Sequence, residues 1–129
     1  MGVPHGASAV ANDVGFSLSA EGVPGANQMT ATIQLKINGS DVDHRTVCAY
    51  WLSSDANGDT LAGDPGTTAI GTDGTILVEA TDDIVGFVVS EADGDIDFVV
   101  SHSSTSGFYI NLAPLGSGRV FTSPILQFA

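Results

Sequence analysis

The stretch "TATIQLKI", residues 30 to 37, alternates polar and apolar side chains without a break. In an extended chain, Ile33, Leu35 and Ile37 fall on one face, and Thr32, Gln34 and Lys36 on the other. A period of two residues marks a half-buried β-strand. The rest of the chain repeats that signature. "GDIDFVVS" (94–101) turns Ile96, Phe98 and Val100 one way and Asp95 and Asp97 the other, toward solvent. "GFYINLAP" (107–114) lines up Phe108, Ile110 and Leu112. "TVCAYWLSS" (46–54) is apolar on both sides, as a central strand is. "VGFSLSAEG", "GTILVEA", "GFVVS" and "GRVFTSPILQFA" complete the set. No window places apolar residues at helical spacing for three turns.

Between these runs lie "NGSD", "ANGD", "GDPGTT", "GTDG", "EADGD", "SSTSG" and "LGSG". They are rich in residues that adopt positive φ or hydrogen-bond their own turns. Seven or eight short strands punctuated in this way predict an all-β fold, an Ig-like antiparallel β-sandwich. Trp51, the only tryptophan, is expected in its core with Ile33, Leu35, Phe98, Phe108 and Ile110. Residues 1 to 14 carry Gly, Pro and Ala without a strand pattern and read as an N-terminal arm, leaving 15 to 129 as the sandwich.

The 129 residues suffice for one domain. Three basic side chains stand against fifteen acidic ones, a net charge of −12. That balance excludes nucleic-acid phosphates and anionic lipid surfaces as partners, since both demand clustered Lys and Arg. No apolar run approaches the roughly 20 residues of a membrane span, and "MGVPHGASAV" lacks the plan of a signal peptide. Cys48 is the only cysteine, set in the apolar "VCAYWL", and reads as a buried thiol.

One stretch imitates a calcium loop. In "SDANGD", Asp55, Asn57 and Asp59 alternate. Counted from Asp55, the loop position that requires Gly is Thr60 and the one that requires Glu is Gly66, so the EF-hand pattern fails. Asn57-Gly58 is a turn signal in its own right. The turn is the preferred reading; a weak cation site shared with Asp64 is the alternative. His5, His44 and His102 have no His or Cys at zinc spacing. No G-x-S-x-G nucleophile motif occurs. The sequence therefore assigns no catalytic residue, metal ligand or cofactor and points away from an enzyme.

Residues 46 to 129 resemble a group of tailed-bacteriophage virion proteins with Ig-like folds. The elements that carry the likeness are Trp51-Leu52-Ser53, Asn57-Gly58-Asp59, Gly74-Thr75-Ile76-Leu77, Glu91-Ala92-Asp93-Gly94-Asp95, Phe108-Tyr109-Ile110-Asn111-Leu112 and Gly118-Arg119-Val120. The resemblance implies that "SDANGD" is a recurring connecting turn and that no catalytic residues carry over. It implies a virion structural protein, with two placements open. The first is a capsid decoration (cement) protein on the external surface of the phage head, bound to the major capsid protein as a trimer. The N-terminal arm lies outside the resemblance; its unpatterned composition suits it to lie across capsid subunits, with Val3, Pro4, His5 and Val10 as the expected contacts. The alternative is a tail, neck or fibre-associated module that adheres to host-surface glycans.

Overall fold

The computed structural model describes residues 10–22, 24–63, 66–103 and 105–128. These residues form strands β1 (Asp13–Leu18), β2 (Gln28–Ile37), β3 (Ser40–Asp41), β4 (Val47–Ser53), β5 (Thr67–Ile70), β6 (Thr75–Thr81), β7 (Val85–Val89), β8 (Asp95–Ser101), β9 (Ser106–Pro114), β10 (Phe121–Thr122) and β11 (Leu126–Phe128). They build two antiparallel sheets. One runs β1-β2-β8-β5, with β3 beside β2; the other runs β10-β9-β4-β7-β6, with β11 beside β9.

In sequence order, β1, β2, β4, β5, β8 and β9 occupy the places of strands A to F of an immunoglobulin sandwich, and β10 and β11 share that of G. The hairpin β6–β7 departs from that plan. It follows β5 in sequence, yet it extends the opposite sheet by pairing β7 with β4.

The sheets pack through alternate residues. Ile33 and Leu35 of β2, Ile96, Phe98 and Val100 of β8, Cys48, Tyr50 and Leu52 of β4, and Ile110 and Leu112 of β9 are fully buried. Phe108 is nearly so. Tyr50 and Phe98 meet across the sandwich with ring centroids 4.9 Å apart. The Tyr50 hydroxyl is buried without a hydrogen-bond partner among the described residues. Space for the ring comes from Gly86, its cross-strand neighbour. A Cβ there would lie 2.4 Å from the Val78 carbonyl and 2.8 Å from the Tyr50 hydroxyl.

Three expectations need correction. Trp51 is only partly buried and lies on the outer face of its sheet. Both phases of "VCAYWL" are apolar, and the one that points inward carries Cys48, Tyr50 and Leu52. Residues 10 to 14 belong to the sandwich and not to an arm. Ala11 and Val14 are buried, β1 begins at Asp13, and Asn12 and Asn38 bond reciprocally. Asp95 and Asp97 are partly buried rather than free in solvent, and Asp97 accepts a hydrogen bond of 2.8 Å from the Thr72 hydroxyl.

Burial pushes the Cys48 thiol up to about 12. Only the thiolate is a competent nucleophile, so the native protein should resist a thiol reagent at pH 8 and react fully in denaturant. Rapid labelling of the native protein would place Cys48 at the surface.

Carboxylates crowd the start of β8. Partial burial, then Asp97, Glu91 and Asp93, raise the Asp73 carboxyl. Partial burial, then Asp93, Asp73 and Asp41, raise Asp95. A folded-state pKa above the unfolded value of about 3.9 means the folded protein binds the proton more tightly. That stabilisation is present at low pH and is lost as pH rises through the raised values. Acidification from pH 7 toward the ordinary carboxylate value of about 4 should therefore raise the melting temperature. The rise should shrink in added salt and flatten in an Asp73→Asn/Asp95→Asn variant. A melting temperature that falls steadily over the same interval would contradict this.

Candidate interaction face

The outward-pointing residues of the second sheet form its most distinctive surface. Cross-strand pairing sets Val78, Phe87, Ala49 and Ala113 in one row. Thr81, Val85, Trp51, Asn111 and Thr122 form the next row, and Thr75, Val89 and Val47 flank the first on its other side. None of these side chains is charged. Val78 is 53% exposed and Phe87 39%. On the opposite sheet the outward residues of β1, β2 and β8 include Asp13, Thr32, Gln34, Lys36, Asp95 and Asp97. The molecule thus has one polar face and one uncharged, largely apolar face.

The turn at residues 54 to 59 closes one end of the apolar face. The Trp51 indole Nε1 donates to the Gly58 carbonyl at 3.0 Å. Asn111, fully buried, donates through Nδ2 to the Ser53 hydroxyl at 2.9 Å and to the Trp51 carbonyl at 3.2 Å. Its Oδ1 accepts from the Thr122 hydroxyl at 2.7 Å. Ser53 in turn donates to the Asp55 carbonyl. These bonds satisfy buried polar groups and pin the turn onto the sheet.

Within that turn the Asp55 carboxylate accepts from the Thr60 backbone N–H, and Asn57 Oδ1 accepts from the Asp59 N–H. Both side chains brace the loop locally, as self-capping turn residues do. Asp64 lies outside the described residues. Among the described residues, no group of three His, Cys, Asp or Glu is placed to hold a metal ion. Exposed Asp59 and Asp82 lie in the turns at this Trp51 end of the face.

Of the arm residues expected to contact a capsid, Val3, Pro4 and His5 lie outside the described residues. Val10 is partly buried beside Gly116, where an added Cβ would sit 3.6 Å from it. His44 contacts Asp43 at 3.2 Å on the surface, and His102 packs on Phe108 and Phe128. The apolar face itself was not singled out from sequence. Its signal lies in "TVCAYWLSS" and "GFVVS", whose two-sided apolarity marks strands covered on both faces. Here the fold covers only one. Comparison with family models, with curated proteins and with solved structures returned no match.

Proposed function

We propose that this protein is a bacteriophage virion structural protein, a capsid decoration (cement) protein that docks on the outer surface of the major capsid protein lattice. The observation that carries the reading is the uncharged outer face of β4, β7 and β9 in a chain of net charge −12. An exposed apolar sheet face marks an interaction site. Partly buried Trp51 and exposed Phe87 are the aromatic anchors such a site uses.

Charge selects the partner. Two copies of this chain repel one another, and Asp59 and Asp82 at the Trp51 end favour a partner surface that is apolar at its centre and basic at that rim. The likeness of residues 46 to 129 to phage virion proteins supports a capsid subunit as that partner. Val3, Pro4 and His5, with Val10, add a second contact with neighbouring subunits. Copies gather as trimers at the three-fold positions of the lattice, where docking offsets their mutual repulsion.

Immunogold labelling of purified particles tests the reading. Label should cover the head at high density. Label confined to the tail, or none, would contradict it.

A further inference from the structure

Four Asn-Gly or Asp-Gly pairs occur in the chain: Asn38-Gly39, Asn57-Gly58, Asp73-Gly74 and Asp93-Gly94. A glycine in second place leaves its backbone nitrogen unshielded, and that nitrogen can attack the side-chain carbonyl before it. The structure sets the four pairs apart. The Gly74 N–H donates to Glu91 Oε2 at 2.9 Å, and the Gly94 N–H donates to the Glu91 carbonyl at 2.9 Å, so both nitrogens are engaged. Asn38 is held through its side chain, whose Oδ1 accepts from Asn12 Nδ2 at 2.9 Å.

Asn57-Gly58 differs on both counts. The Gly58 N–H reaches the Asp55 carbonyl only at 3.5 Å, past the roughly 3.2 Å of a well-formed hydrogen bond. Asn57 is exposed to water, and its Oδ1 accepts from the Asp59 N–H at 3.2 Å, which folds the amide back along the Gly58 peptide. No shielding residue can replace Gly58. It holds a φ of 76°, and a Cβ there would lie 2.7 Å from Asn111 Oδ1 and 3.4 Å from Trp51 Nε1. The packing that pins the turn onto the sheet demands the same glycine that leaves Asn57 open to attack.

We propose that Asn57 is a self-modification site, converted in water to isoaspartate and aspartate. The deprotonated Gly58 nitrogen forms a bond to Asn57 Cγ. The Cγ–Nδ2 bond breaks, and ammonia leaves with a proton from water. The Asp59 N–H stabilises the oxygen that gains charge on the way. Water then opens the cyclic imide. Opening at Cγ leaves an aspartate; opening at the main-chain carbonyl leaves an isoaspartate, which adds a CH2 to the backbone. The net reaction consumes one water, releases one ammonia and needs no oxidant or reductant. Either product adds a negative charge beside Asp55 and Asp59. Isoaspartate also displaces Gly58, whose carbonyl accepts from Trp51 Nε1 at 3.0 Å, and so uncouples the turn from Trp51. The modification is independent of the proposed docking; only its consequence for docking rests on that reading.

The test is to age the full chain in mildly alkaline buffer and map it by peptide mass spectrometry. Exchange of NH2 for OH should accumulate at Asn57 at least about fivefold faster than at Asn38, whose amide must first give up a hydrogen bond. In the urea-unfolded chain the two rates should converge. Isoaspartyl methyltransferase should label the Asn57 peptide of the aged protein. Trp51 is the only tryptophan, so its emission should shift in step with the conversion. An Asn57→Gln variant, whose longer side chain closes a less favoured ring, should keep its emission through the same ageing. An unmodified Asn57, equal rates at Asn57 and Asn38 in the folded protein, or an equal emission shift in Asn57→Gln would each overturn the proposal.

Discussion

Tyr50→Ala should cost on the order of 3–5 kcal/mol, enough to unfold most molecules of a domain whose whole stability lies in the range of about 5–15 kcal/mol. Tyr50 is among the largest fully buried side chains, and its ring meets Phe98 between the sheets. Removing it leaves a cavity against Gly86, which has no side chain to move into the space. Tyr50→Phe provides the control. It deletes a buried hydroxyl that has no partner among the described residues, so stability should hold or rise by up to about 1 kcal/mol. Trp51→Ala should cost less, about 1–2 kcal/mol, because Trp51 loses outer-face packing and one bond to Gly58 but opens no core cavity. Urea midpoints of the three variants check the order. A larger loss for Trp51→Ala than for Tyr50→Ala would reverse the assignment of the two faces of β4.

The second large effect falls on assembly. A Val78→Asp/Phe87→Asp variant puts two charges side by side on the apolar face, at cross-strand neighbours already exposed. Folding should survive, since exposed substitutions outside the core rarely cost more than about 0.5 kcal/mol each. Docking should not. Burying two unpaired carboxylates against an apolar partner surface should weaken binding to undecorated heads by at least about thirtyfold, the effect of losing a 2 kcal/mol anchor. Thr32→Asp, exposed on the opposite sheet, should bind as wild type. Co-sedimentation with undecorated heads measures all three. Loss in Thr32→Asp with retention in the apolar-face variant would show that the polar sheet faces the particle.

The strands that could be read from sequence were those with one polar and one apolar face. "TATIQLKI" and "GDIDFVVS" state their inward residues outright, because only one phase of the alternation is apolar. "VCAYWL" does not. Either phase can face the core, and residue size pointed to Trp51 where the register selects Tyr50. Other elements left no pattern to read. β3 is two residues long, and β5 follows directly on a Gly-rich turn. Ala11 is buried by its position beside the sandwich, and nothing in a lone small residue announces that. The outward row of Gln28, Ser101 and Thr67 on the polar sheet was equally hidden. Its residues come from three distant segments, and only the register of β2, β8 and β5 brings them together.

The uncharged outer face of β4, β7 and β9 is the surface proposed to lie against the capsid. A cryo-EM map of the particle, at a resolution that orients the sandwich, measures this directly. Density for the protein is expected on the head, with Val78, Phe87 and Trp51 against capsid subunits and the row Gln28–Ser101–Thr67 turned to solvent. A sandwich that stands on the head with Val78 and Phe87 in solvent, or a head without this density, would contradict it.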